Sequence, residues 1–243
     1  MPLNPSNGNM YEFVTHTWNT VKGKCFHNCS YCYMKKLNKE QHPIELDTKE
    51  FKTNLGLGNF IFVGSGIDLF AIDIPDQWIK RTLDYCYQVN VSNLFGATNN
   101  YLFQSKNPRR ILDFIEHPVF KSSVICTTIE TNRHYPEIMN DSPKVEERAK
   151  AMSEISQKWG IDTYVTVEPI MDFDLDEMIE LIRLCHPKQV NFGKNSNKLV
   201  TLPEPTDKKV LQLIKGVKDF STVHIKENMK KNKTRTELNN RRL

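Results

Sequence analysis

Short, continuous apolar runs alternate along this chain with longer segments whose apolar residues recur at helical spacing. The run Asn59–Val63 ends in Gly-Ser-Gly, which is typical of a buried parallel strand followed by a tight turn. After Pro75, the residues Trp78, Leu83 and Cys86 have the spacing of one helix face. The same pattern predicts strands at Tyr11–Thr17, Asn59–Val63, Val91–Ala97, Ser123–Ile129, Ile161–Val167, Lys188–Phe192 and Thr222–Ile225. It predicts helical segments at residues 35–40, 47–54, from 75, from 107, 142–159, 174–182 and 207–217.

The order of these elements is strand then helix, repeated about six or seven times. Such an order requires a parallel sheet with helices packed outside it. Because the loops with candidate chemistry gather after the strands, a partial or full (β/α) barrel is favoured over a doubly wound sheet. We therefore expect an α/β protein built as a partial (β/α)6-type, TIM-like barrel, with residues 1–225 as one domain.

Composition and charge indicate where this domain is located and which partners it could contact. No stretch reaches the roughly 18 apolar residues of a membrane span, and the first residues do not form a signal peptide. We expect a cytoplasmic protein without a membrane partner, in which thiols stay reduced. The segment 226–243 holds seven Lys/Arg and two Glu, and is predicted to be a basic tail that either contacts nucleic acid or is a solvated terminus.

Three cysteines, Cys25, Cys29 and Cys32, follow the first predicted strand at the spacing C-x3-C-x2-C. A closed zinc site or a fully ligated [4Fe–4S] cluster needs four ligands, so three thiolates would leave one iron of a cluster open. The alternative is a zinc loop completed by a histidine, for which the candidates are His16, His27 and His42.

This motif, with the aromatic Tyr31 just before the last cysteine, resembles the signature of the radical S-adenosylmethionine (radical SAM) superfamily. The resemblance implies that Cys25, Cys29 and Cys32 bind a [4Fe–4S] cluster whose open iron binds S-adenosylmethionine. It further implies reductive cleavage to a 5′-deoxyadenosyl radical, hydrogen abstraction from a substrate, and an external reductant of the flavodoxin or ferredoxin type.

A wider resemblance rests on segments outside the cysteine loop. Trp18-Asn19, Val63–Phe70, Tyr101–Pro108 and Val167–Ile170 are similar to a subgroup of small bacterial and phage radical SAM proteins, mostly of unknown function. That subgroup is distantly similar to spore photoproduct lyase. The likeness implies the reaction type better than the substrate.

Polar residues at predicted strand ends are the further candidates, because loops there face the mouth of such a barrel. The resemblance implies that a glycine-containing motif holds the methionine amino group and that polar residues reach the ribose or the carboxylate. The candidates are Gly64, Ser65, Gly66, Lys106, Glu130, Asn132 and Glu168. For each of them a purely structural role stays open. Lys194, Asn195 and Lys226 are expected to surround the opening, where the positive charge of the lysines would favour a phosphate-bearing substrate.

Cys126 lies within a predicted strand and is either buried filler or a hydrogen donor to a substrate radical. Taken together, the sequence predicts a radical SAM enzyme, with a nucleic acid base or nucleotide as the favoured substrate. The alternatives are a radical SAM enzyme for a small molecule or peptide, and a non-catalytic zinc-bearing protein that binds nucleic acid.

Overall fold

The structure, a computed structural model, describes residues 3–7, 9–37, 42–92 and 96–230. Its main sheet is mostly parallel, with the spatial order β1-β2-β5-β6-β7-β8-β9-β10. The strands are β1 (Asn4–Pro5), β2 (His16–Trp18), β5 (Phe60–Val63), β6 (Asn100–Gln104), β7 (Ser123–Thr128), β8 (Asp162–Val167), β9 (Gln189–Phe192) and β10 (Thr222–Ile225). A separate antiparallel pair consists of β3 (Val21–Lys22) and β4 (Glu45–Leu46).

Helices follow the strands along the chain. In chain order they are α1 (Met34–Leu37), α2 (Asp76–Val91), α3 (Pro108–Ile111), α4 (Pro136–Met139), α5 (Val145–Trp159), α6 (Leu175–Leu184) and α7 (Asp207–Lys218). Among the described helices, the four long ones, α2, α5, α6 and α7, are amphipathic. On α5, Val145, Ala149, Met152 and Ile155 are buried at positions that recur with the helix period, so this face packs on the sheet. Gly160 ends the helix in the left-handed conformation, at φ 64°.

Two hydrophobic cores show that the sheet is curled. The larger core lies between the sheet and the helices. A smaller one lies on the concave face, where the Phe13 ring contacts Phe60 on β5 at 4.9 Å and Tyr164 on β8 at 5.4 Å between centroids. Since two strands separate β5 from β8 in the sheet, one side chain bridges them only if the sheet curves around it. The predicted partial TIM-like barrel is thus confirmed.

Seven strands, β2 and β5 to β10, run parallel in the described part of the chain, and β1 adds an antiparallel edge. The strand predicted at Val91–Ala97 is not found in the described residues of that segment, and residues 93–95 lie outside the described part of the chain. Val91 is the last residue of α2, and the third parallel strand is β6. A central parallel strand is covered on both faces, a condition that Tyr101, Leu102 and Phe103 meet and the 43% exposed Val91 does not.

Three other boundaries differ from the sequence-based expectation. The first predicted strand is shorter, because residues 11–14 form a turn. A hydrogen bond from the Val14 amide to the Tyr11 carbonyl closes this turn, and the Tyr11 and Val14 side chains are buried inside the barrel. The segment after Asp47 is a 3-10 helix, Thr48–Lys52. The short helix predicted at 35–40 is α1, and residues 38–40 lie outside the described residues.

Candidate functional site

A cavity of about 450 Å³ opens at the carboxyl ends of the parallel strands. Loops after β2, β5, β6, β8 and β9 all contribute side chains to it. Among the residues predicted from the sequence, those that line it are Cys25, Cys29, Cys32, Tyr31, Gly64, Ser65, Gly66, Lys106 and Glu168. The structure therefore brings most of the sequence candidates to one place.

The three cysteines of the loop are free thiols beside this cavity. The loop is folded by tight turns, in which the Asn28 amide donates to the Cys25 carbonyl and the Cys32 amide to the Cys29 carbonyl. Burial, followed by the charge of Asp68, raises the pKa of Cys25 to about 12. Burial also raises the pKa of Cys32, and the neighbouring Cys29 adds to both shifts. Cys25 and Cys32 are thus each close enough to Cys29 to interact with it, and burial favours their neutral thiol form.

His27, inside the loop, is engaged by a carboxylate. Its Nε2 lies 2.8 Å from Oδ2 of Asp68, and the two side chains are 3% and 8% exposed. Oδ2 of Asp68 also accepts bonds from the Ser105 hydroxyl at 3.0 Å and the Lys106 amide at 2.8 Å. Asp68 therefore ties the cysteine loop to the end of β6.

Each of the three histidines that could complete a zinc site has another partner in the structure. The His27 nitrogen that faces the site is already bonded to Asp68, and Nδ1 of His42 lies 2.9 Å from the Pro43 carbonyl oxygen. His16 lies on β2, where its Nδ1 is 3.0 Å from the Thr15 hydroxyl. In the part of the chain that the structure describes, no three His, Cys, Asp or Glu side chains are grouped tightly enough to hold one metal ion. Three thiols that line one cavity are the donor set that would leave one iron of a [4Fe–4S] cluster open, so the residues present agree with the predicted group.

The Gly64-Ser65-Gly66 turn is held from behind by Asn19. Its Oδ1 accepts from the Gly66 amide at 2.7 Å, and its amide group bonds the Ser65 hydroxyl at 3.1 Å. Gly64 has φ 81°, and a Cβ there would lie 3.1 Å from the Ile67 carbonyl oxygen, so glycine is required. The turn therefore presents bare backbone to the cavity.

Glu130 lies behind the cavity wall rather than on it. It is fully buried and bonds Arg148 through Oε2 at 2.8 Å, and Lys106 and Tyr31 through Oε1. Burial alone would raise its pKa, but the charges of Arg148 and then Lys106 outweigh burial and lower the pKa of Glu130 to about 2. Both carboxylate oxygens are engaged by these neighbours, and Glu130 holds Lys106 and Tyr31 in place.

Asn132 does not line the cavity. Its side chain bonds Glu177 at 2.7 Å and accepts from the Asp174 amide at 2.8 Å, so it closes the start of α6. Cys126 is buried on the concave face of the barrel and does not line the cavity either. Tyr11, which belongs to the same cluster and interacts with this thiol, does line it.

Across the cavity from the cysteine loop, Glu168 is surrounded by donors. Lys226 reaches its Oε2 at 2.5 Å, and Asn9 and Asn228 reach its Oε1 at 2.7 and 2.9 Å. Gly193 makes room for this carboxylate, because a Cβ there would lie 2.7 Å from Cδ of Glu168. Lys226, with which the predicted tail begins, is thus a buried part of the barrel mouth, while residues 231–243 of that tail lie outside the described residues.

The expected ring of positive charge at the mouth is wrong for its two lysines. Lys226 is paired with Glu168, and Lys194 is paired with Asp207 at 3.4 Å. Asn195 bonds the carbonyl oxygens of Asn197 and Val200. Each of the two lysines is thus paired with a carboxylate.

Several residues of the site carry no sequence motif. Arg148 interrupts the buried apolar face of α5, and a charge at such a position is the one signal that predicts a buried ion pair. Its Nη2 has no partner within the described residues. Asn9 lies in an irregular lead-in segment and Tyr11 at the start of the first predicted strand, and only the fold brings them to Glu168 and to the barrel interior.

Comparison with known proteins finds solved structures with a similar fold. No protein-family model matches the sequence, and no curated protein matches it. Among solved structures, a spore photoproduct lyase mutant is similar at TM-score 0.64 and 12% identity, over 90% of this chain and 78% of that chain. Spore photoproduct lyase complexed with dinucleoside spore photoproduct is similar at TM-score 0.63 and 11% identity, over the same shares of both chains.

A further similar structure is anSMEcpe with bound AdoMet and a peptide. Its TM-score is 0.54 at 11% identity, over 93% of this chain and 64% of that chain. At such identities the likeness establishes a shared fold. The predicted likeness to the radical SAM fold, and to spore photoproduct lyase within it, is confirmed at that level.

Proposed function

We propose that this protein is a radical SAM enzyme that abstracts a hydrogen atom from a nucleic acid base or nucleotide. The observation that carries the proposal is the position of the three thiols. Cys25, Cys29 and Cys32 lie together at the cavity above the parallel strands, and His27 is held by Asp68 instead of serving as a fourth ligand. Spore photoproduct lyase, which has a similar fold, was solved with dinucleoside spore photoproduct, and this supports a nucleic acid substrate.

In this proposal Cys25, Cys29 and Cys32 hold a [4Fe–4S] cluster. When bound, the cluster would supply one electron, received from a flavodoxin- or ferredoxin-type reductant, to break the sulfonium C–S bond of S-adenosylmethionine into methionine and the 5′-deoxyadenosyl radical. The protein's part is to orient the cofactor and to exclude water. The cysteine loop is pinned by Asp68, and by Asn197, whose amide group lies 3.4 Å from the Cys32 carbonyl oxygen.

Two neighbouring groups are suited to the amino acid part of the cofactor. The bare backbone of Gly64–Gly66 accepts an ammonium group, with the Tyr33 hydroxyl fixed on the Ser65 carbonyl at 2.7 Å. Lys106, 16% exposed and held by Glu130 and Tyr31, offers its ammonium to a carboxylate. Glu168, partly exposed on the far side, is a candidate acceptor for ribose hydroxyls.

Anaerobic reconstitution with iron and sulfide tests the proposal. We expect a brown protein with about four irons per chain, which forms 5′-deoxyadenosine when given S-adenosylmethionine and dithionite. Replacing Cys25, Cys29 or Cys32 by alanine should abolish both properties. Cys185→Ala is the matched control, because that thiol is fully buried away from the cavity.

Two results would overturn the proposal. One is a colourless protein that carries zinc after anaerobic purification. The other is a fully loaded cluster that yields no 5′-deoxyadenosine under reduction.

A further inference from the structure

Four uncharged side chains from different elements form the part of the cavity next to the hydrophobic cluster on the concave face of the sheet. We call Tyr11, Gln104, Thr128 and Thr166 the cavity floor; all four line the cavity. The Tyr11 hydroxyl lies 2.6 Å from Oε1 of Gln104 and 2.9 Å from the Thr166 hydroxyl. The Gln104 amide donates to the Thr128 hydroxyl at 3.3 Å. The four residues thus form one continuous chain of hydrogen bonds across β6, β7 and β8.

The charged groups near this floor are compensated in pairs. Lys226 stands 4.4 Å from the centre of the Tyr11 ring, but its ammonium is 2.5 Å from Glu168 and the side chain is only 6% exposed. Lys106 is paired with the buried Glu130. Burial raises the pKa of Tyr11, so its phenol stays neutral. A ligand group that reaches the floor therefore meets polar atoms without net charge, and a phosphate would gain no unpaired cation there.

Counting hydrogen bonds identifies the donors of the cavity floor that are available to a ligand. The Tyr11 hydroxyl contacts Gln104, Thr166 and the Cys126 thiol. Its one hydrogen goes to Oε1 of Gln104, which can only accept, so Thr166 donates to Tyr11. One hydrogen of the Gln104 amide goes to Thr128. Within the described residues, the second amide hydrogen of Gln104 and the hydroxyl hydrogen of Thr128 have no recorded acceptor. Two donors without acceptors favour a ligand that brings carbonyl oxygens.

We propose that the cavity floor binds a neutral, carbonyl-bearing nucleobase, and that the sugar and phosphate stay toward the cavity mouth. This inference rests on the proposed function and specifies the substrate group that the site takes. A base within a duplex would have to leave the stack to reach this part of the cavity. The floor then recognises it by hydrogen bonds instead of by charge.

The test measures binding by calorimetry to the anaerobically reconstituted full chain, without reductant and with saturating S-adenosylmethionine. The probes are thymidine, thymidine 5′-monophosphate and inorganic phosphate. We expect the two thymidine compounds to bind with Kd values within about threefold of each other, and phosphate not to compete. Gln104→Leu should weaken thymidine binding about tenfold, which is the effect of losing one to two hydrogen bonds. Gln77→Leu, at an exposed position of α2, is the matched control.

A second variant, Thr128→Val, guards against misfolding of the first, and equal melting temperatures with the parent protein show that each variant folds. Three outcomes would overturn the inference: no thymidine binding, a monophosphate that binds more than about tenfold tighter with competition by phosphate, or an equal loss of S-adenosylmethionine affinity in Gln104→Leu. The readout needs no cofactor cleavage. Failure to form 5′-deoxyadenosine with thymidine binding intact would therefore overturn only the reaction proposed above.

Discussion

Replacing Glu130 by glutamine is expected to destabilise the fold strongly without removing any atom from the cavity surface. Both carboxylate oxygens of Glu130 are used, by Arg148 on one side and by Lys106 and Tyr31 on the other. Arg148 is fully buried as well. A neutral amide leaves that guanidinium charge without its counter-charge inside the protein, which is more costly than the loss of an exposed pair.

The loss of unfolding free energy in Glu130→Gln can be estimated in two ways. The pKa of Glu130 falls from 4.5 to about 2 on folding. At about 1.4 kcal/mol per pH unit, this corresponds to about 3 kcal/mol of stabilisation of the ionised carboxylate. Removing one partner of a buried ion pair typically costs about 3–5 kcal/mol. We therefore expect the free energy of unfolding to fall by about 3 kcal/mol, and the melting temperature by about 6–12 °C for a chain of this length.

Urea denaturation at a series of pH values measures this cost and its origin. Because the folded pKa lies below the unfolded one, the carboxylate stabilises the fold fully above pH 4.5, and this stabilisation is lost as the pH falls toward 2. The difference between the parent protein and Glu130→Gln should thus be constant from about pH 7 to 5.5. It should shrink below about pH 4.5.

Glu116→Gln is the matched control, because Glu116 is exposed. We expect that change to stay within about 0.5 kcal/mol of the parent protein. A loss in Glu130→Gln below about 1 kcal/mol at neutral pH, or a difference that does not vary between pH 5.5 and 3.5, would refute the reasoning.

Three further changes have separate physical causes. Gly193→Ala places a Cβ 2.7 Å from Cδ of Glu168, so we expect that side chain to move; a crystal structure of the variant with an unmoved carboxylate would contradict this. Gly160→Ala meets no neighbouring atom, but its φ of 64° costs an alanine about 1 kcal/mol, measured by urea unfolding. Thr206→Ala removes the side-chain acceptor of the Lys209 amide and should cost about 1 kcal/mol in the same assay, with Thr206→Ser close to the parent protein; equal stability of the alanine and serine variants would speak against the cap.

Local patterns predicted much of the fold. Buried runs such as Ser123–Ile129 and Lys188–Phe192 are strands in the structure within one or two residues. Val91–Ala97 failed because apolar residues in a short run do not distinguish a helix end from a strand. The strand that takes its place, Asn100–Gln104, is recognised by burial on both faces, which is a tertiary property.

Some residues of the candidate site could likewise be predicted from local sequence, and others depend on the tertiary structure. Cys25, Cys29 and Cys32 could be assigned to one loop, because residues three and four apart in a tight turn stay together in any fold. Glu130 and Asn132 share a strand end in the sequence, yet one is buried in an ion-pair network and the other closes a helix start. Their surroundings differ because Glu130 contacts Arg148 on α5, whereas Asn132 contacts the start of α6.

The sequence by itself determined the alternation of strands and helices and the three-thiol loop, because both depend on contacts between near neighbours along the chain. Only the tertiary structure decided which polar groups meet. His27 finds Asp68 41 residues away, and Asn9 finds Glu168 159 residues away. Such pairs depend on strand register and on the curl of the sheet, which bring together residues that no local pattern connects.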